Sequence, residues 1–237
     1  MLRVSRKFQK IISFSLLASM FFCQTASAAP FTRTDDGAVY SWHRNSGNKI
    51  ALTFDDGPHP KYTEEILSIL DEYNIKATFF VVGENAGEYS DIIRREINSG
   101  HEIGNHTYSH ANLRASRTSV IINELAKTQE VIYEAEEYRT KLLRPPEGKF
   151  AGEVKKVADK FDYKIVLWTV DTRDWAHTPS SEIYKNVTEN VKSGDIILFH
   201  DYIVGDSPTP EALRRIIPEL LDMGFVFVTV SELLGSN

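Results

Sequence analysis

Short apolar runs alternate with amphipathic stretches along most of the chain, and this alternation limits the possible folds more than any other feature. The apolar runs fall at 50–54, 77–82, 102–105, 142–144, 164–169, 196–200 and 225–230. Helical periodicity lies between them, over 63–73, 91–98, 118–136, 152–159, 181–191 and 210–223. Ser90 is expected to cap the second of these helices, while Gly100 and Gly224 stop the second and the last. Parallel neighbours need long crossovers, and helices supply them. The chain is therefore predicted to be a single-domain α/β protein, a complete or incomplete (β/α) barrel of about seven parallel strands, with an open doubly wound sheet as the alternative.

The N-terminus reads differently. Arg3, Arg6, Lys7 and Lys10 precede an apolar run over 11–22 and the small residues Ala26, Ser27 and Ala28. This order is that of a signal peptide, with cleavage expected after Ala28. The run is shorter than the ~20 residues that cross a bilayer, so no stable membrane insertion is expected after cleavage. The predicted organisation is a signal over 1–28, a leader over 29–47 and a catalytic domain over 48–237, giving a secreted or cell-wall-associated protein. Cys23 is the only cysteine and lies within the signal, so the mature chain is expected to fold without disulfides and to use no thiol ligand. A net charge of −6, with no cluster mixing basic and aromatic residues, argues against a nucleic-acid partner. A monomer is expected.

Five polar blocks stand at or just beyond strand ends, where an α/β barrel gathers its functional residues on one face. Asp55 and Asp56, before Gly57 and Pro58, are either a solvated turn or two carboxylates aimed oppositely by the strand's alternation. His106 and His110 are four apart, so a helical turn would set both rings on one side to chelate a cation; as surface histidines they would do nothing. With a carboxylate such as Asp56 they make the three-ligand set of a catalytic metal, zinc first, with cobalt or nickel as alternatives. Arg144, before Pro145 and Pro146, is either an exposed loop arginine or a forked donor to a carboxylate, with the fixed backbone aiming an N–H at an oxyanion. Asp171, Asp174 and Trp175 form a charged loop whose carboxylates could orient a histidine and whose indole could stack on a sugar. His200, after Leu198 and Phe199, is a structural histidine unless a metal lies nearby, in which case it becomes a candidate general acid.

In this order the blocks resemble the polysaccharide deacetylase family, carbohydrate esterase family 4, also called the NodB homology domain, over about residues 48–234. The resemblance implies a distorted (β/α) barrel that hydrolyses acetamides or acetyl esters on sugars. It further implies Asp56, His106 and His110 as ligands of a divalent metal, Asp55 as the base and His200 as the acid. Arg144 would brace Asp55, Asp174 would orient His200, and Trp175 and Leu198 would shape the pocket for the acetyl methyl. The backbone N–H of Glu147 would face the oxyanion. Glu147 departs from the aromatic found there in many members, and its charge is expected to disfavour anionic substrates or to contact a sugar amide or amine. Acetylated polysaccharide is the implied substrate, peptidoglycan first, with chitin oligomers or acetylated xylan as alternatives. A non-catalytic cell-wall binder is the reading from another class.

Overall fold

A computed structural model describes residues 34–235; the predicted signal, Cys23 and the first part of the leader lie outside these residues. The main sheet runs β1 (Val39–Tyr40), β6 (Lys164–Val166), β5 (Leu142–Leu143), β4 (Glu102–Asn105), β3 (Thr78–Val81), β2 (Lys49–Asp55), β8 (Ile196–His200) and β7 (Val170–Asp171). β9 (Val226–Phe227) pairs with the start of β2, and every paired strand is parallel. The crossovers are α1 (Tyr62–Glu72), α2 (Gly83–Glu88), α3 (Ser90–Asn98), α4 (Thr118–Glu136), α5 (Gly152–Lys160), α6 (Ser180–Asn190) and α7 (Thr209–Asp222), with α8 (Val230–Leu233) after β9. No helix among the described residues is long and apolar enough to cross a membrane.

Only the first half of the predicted strand over 164–169 forms, as β6, and β7 begins one residue beyond its predicted end. β6 pairs with β5 and β1 and β7 with β8, so one stretch of chain serves both flanks of the sheet across a break at 167–169. The result is a distorted, incomplete barrel whose strand path runs from β1 to β7. The carbonyls of Val166 and Leu167 accept from Arg144 instead of continuing the ladder. The leader also contributes to the sheet: Asp36 Oδ1 accepts the N–H groups of Ala38 and Val39, and the buried pair Val39 and Tyr40 then adds β1 to β6. The predicted strand over 225–230 shortens to β9 because Thr229 and Glu232 form a capping box that starts α8. Ser90 is not a cap; it is the first residue of α3, and Tyr89 holds the cap position without a side-chain hydrogen bond.

Alternation along the strands separates two layers. Leu52 and Phe54 on β2, Phe79 on β3 and Phe199 on β8 face α1, α3, α6 and α7, with the Phe54 and Phe79 rings stacked at 5.0 Å. Ala51, Phe80 and Leu198 belong to the other cluster. Thr53 and Asp55 share that second face. The parallel register pairs Asp55 directly with His200, and Thr53 with Leu198.

Candidate active site

The β2 end supplies Asp55 and Asp56. Asp55 is 3% exposed and gives Oδ1 to the Arg144 guanidinium at 2.7 Å, while its Oδ2 lies 3.7 Å from His106 Nε2. Asp56 turns the chain with φ +76°, and its carbonyl is held by Asn85 Nδ2 at 2.7 Å. Gly57 follows. A Cβ there would lie 2.0 Å from the Asp201 carboxylate, which accepts the Gly57 N–H at 3.1 Å and the Thr63 hydroxyl at 2.6 Å. Burial raises Asp201 to about 7, although the Thr63 hydroxyl favours its ionised form; Asp56 and Asp55 add to the rise.

His106 and His110 do not sit on a helical turn. They flank a loop in which Thr107 and His110 have φ of +69° and +53°, and their ring centroids stand 5.1 Å apart. A branched residue at positive φ is held there at a cost. Asn105 meets part of it by accepting the Thr107 N–H at 2.9 Å. His106 Nδ1–H donates to the Arg144 carbonyl at 2.7 Å, which leaves Nε2 with its lone pair towards Asp56.

Asp56 Oδ1 lies 3.3 Å from His106 Nε2 and 3.2 Å from His110 Nε2. This oxygen is buried and has no hydrogen-bond partner. Such an orphaned anionic oxygen facing two ring nitrogens is what a divalent cation satisfies, so the residues present fit the implied metal. Burial opposes the Asp56 charge, but His106 and His110 outweigh it and hold its pKa far below the carboxylate range. His106 is almost fully buried and the His110 side chain is 42% exposed, so the triad opens on the His110 side.

On the neighbouring strand, His200 Nδ1–H donates to Asp174 Oδ1 at 2.8 Å, so its second ring nitrogen, Nε2, takes no part in that pair. Asp174 is fully buried, and its Oδ2 accepts the His200 backbone N–H and the Thr209 hydroxyl, both at 2.7 Å. Burial pulls the His200 pKa down, but Asp174, with Asp56 and Asp55 behind it, pushes it up to about 9. An NMR titration of the metal-free protein should find it there, and Asp174→Asn should bring it down substantially. Because the folded value is the higher one, the stabilisation from the Asp174 pair is full below about 6.5 and is lost as pH rises through about 9.

The remaining predicted residues line the surroundings. Leu198 is buried in the layer that carries Thr53, and Trp175 is 48% exposed with its Nε1–H 3.4 Å from Asp171 Oδ1. Glu147, at φ +57° between buried Pro146 and Gly148, is exposed and pairs with Lys149 at 2.6 Å. Lys149, then His110, holds its carboxyl below the usual range. Asp201, Asn85, Thr63 and Thr209 were not singled out in the sequence. Only Asp201 carried a signal there: one residue past His200, alternation sends it to the helix-facing layer, where a carboxylate needs partners.

A family model described as polysaccharide deacetylase matches residues 43–166. A peptidoglycan-N-acetylglucosamine deacetylase of Bacillus cereus is 41% identical over 190 residues, covering 80% of this chain and 69% of the relative. The crystal structure of the Bc1960 peptidoglycan N-acetylglucosamine deacetylase superposes with a TM-score of 0.81 at 38% identity, covering 84% of this chain and 93% of that one. A family 4 acetyl xylan esterase from Clostridium thermocellum, solved with a cobalt ion, gives 0.75 at 39% identity, covering 79% and 90%. The chain belongs to the polysaccharide deacetylase family, carbohydrate esterase family 4, and is a hydrolase of the carbohydrate deacetylase class.

Proposed function

We propose that this protein is a divalent-metal-dependent deacetylase of N-acetylglucosamine in peptidoglycan, acting as a monomer outside the cytoplasm. The observation that carries the reading is the pairing of Asp55 with His200 across adjacent strands, each backed by its own buried ionic partner, Arg144 or Asp174. Asp56, His106 and His110 would hold the ion, zinc or else cobalt or nickel, which when bound acidifies water and polarises a carbonyl oxygen.

The chain's own groups divide the proton work. Arg144 occupies one oxygen of Asp55 and leaves the other free to accept the proton of the attacking water. Asp174 fixes the His200 tautomer, so Nε2 carries the proton given to the departing amine. The Glu147 backbone N–H stabilises the oxyanion, Leu198 bounds the space for the acetyl methyl, and Trp175 offers a flat apolar face to a sugar ring. Peptidoglycan is favoured by the substrates named for the Bacillus cereus and Bc1960 relatives. An extracytoplasmic site is supported by the signal pattern of the first 28 residues and by the location of that polymer.

The test is mass spectrometry of muropeptides, chito-oligomers and acetylated xylan after treatment with protein carrying a measured metal. Loss of acetyl groups from the glucosamine of muropeptides is expected. Acetate released from xylan while muropeptides stay intact would overturn the substrate. The neutral chito-oligomers also read the Glu147 charge: Glu147→Tyr should shift the relative rates on charged and neutral chains, and unchanged ratios would remove its role in selectivity.

A further inference from the structure

We propose that Glu124, on α4, is a positioning residue that sets the affinity of the site for its metal by holding the backbone of the loop that carries His110. This rests on the reading of Asp56, His106 and His110 as ligands. The two histidines are supported very differently. His106 is buried, and its ring is locked by the Arg144 carbonyl. The His110 ring is half exposed, so its place depends on the chain before it.

That chain is held on both sides. The carbonyls of Thr107 and Tyr108 accept the N–H groups of Gly83 and Glu84 at the start of α2, each at 2.9 Å. The N–H groups of Tyr108 and Ser109 both donate to Glu124 Oε2 at 2.9 Å, and the Ser109 hydroxyl lies 3.2 Å from both carboxylate oxygens. Glu124 is only 9% exposed. A buried carboxylate is costly unless it is fully hydrogen-bonded, and these donors meet that demand. The approach is close: a Cβ on Gly83 would stand 2.6 Å from the Tyr108 ring and 2.9 Å from the hydroxyl of Thr128, one turn along α4 from Glu124. Glu124 therefore fixes the two residues immediately before the exposed ligand.

The role requires reach more than charge, and two variants separate these. Glu124→Gln keeps the length, and its amide oxygen can still accept both backbone N–H groups. Glu124→Asp keeps the charge but withdraws the carboxylate by one methylene. Zinc affinity is to be measured on the chelator-stripped full chain by competition with a chromophoric chelator, and the absorption spectrum of the cobalt form recorded, with melting of the metal-free variants as the control for folding. The Asp variant should bind zinc about 10- to 100-fold more weakly, dissociate faster and give an altered cobalt spectrum, while the Gln variant stays close to wild type. Wild-type affinity in the Asp variant, or weaker binding by Gln than by Asp, would overturn the proposal and leave the metal site standing. Failure of the wild-type chain to take up zinc or cobalt would instead remove the metal reading itself.

Discussion

Asp55→Asn is expected to lower kcat by about 10²- to 10⁴-fold, the usual contribution of a positioned general base, while metal uptake stays near wild type. The amide has the shape of the carboxylate, so an acceptor oxygen can still face the Arg144 guanidinium, now 2.7 Å from Oδ1. What disappears is the basicity of the oxygen on the side of His106, the one proposed to accept the proton. Steady-state acetate release together with metal analysis measures both halves. A non-catalytic binder would show no turnover to lose and would hold its polymer equally well with either residue. Retained turnover in the Asn variant would show that the proton leaves by another route.

Arg144→Met is expected to cost about 3–5 kcal/mol of stability, because it breaks a buried ion pair and strands the carboxylate. The guanidinium is fully buried and donates Nη1–H to Thr53 and Asp55, Nε–H to the Val166 carbonyl and Nη2–H to the Leu167 carbonyl. Its cation also lies over the Phe80 ring at 4.1 Å. Burial lowers its pKa while Asp55 opposes the change. Urea unfolding in the presence of a chelator isolates this effect from metal binding. Adding Asp55→Asn should restore part of the loss, since the second change removes the stranded charge. Purely additive costs would mean that the pair is not coupled. Arg144→Lys should not rescue activity, because a single ammonium cannot reproduce donors fanned to Thr53, Asp55 and two carbonyls.

The order of strands and crossovers was legible because a buried parallel strand writes itself as an apolar run and a surface helix as a 3.6-residue stripe. Where tertiary partners decide, the pattern was silent. Leu167 to Thr169 are as apolar as their neighbours, yet the chain breaks there because Arg144 takes carbonyls and the segment changes partner from β5 to β8. α2 carries two glycines and little periodicity, so its propensity is poor; packing against α4 and the loop around Tyr108 sustains it. The predicted site residues were visible as chemical types at strand ends. The conformation of the His106–His110 loop was not, because positive φ at Thr107 and His110 runs against local preference and is imposed by Asn105, α2 and α4. Glu124 looked like an ordinary helical residue and Thr209 lay just before the predicted helix over 210–223, and only folding brings them to the His110 loop and to Asp174.

The Asp55–His200 register carries a consequence for how such a protein can diversify. Neighbouring strands stand about 4.8 Å apart whatever their side chains, so the spacing between the proposed proton acceptor, Asp55, and the proposed donor, His200, is written into the sheet's backbone ruler. Trp175 and Glu147 sit instead on exposed connections with irregular backbone. Those connections can be lengthened, recharged or exchanged to suit a different polymer while the proton ruler keeps its length. Recombining rim loops on this barrel should therefore change which sugar chain is held far more readily than it changes the pH dependence of the hydrolysis.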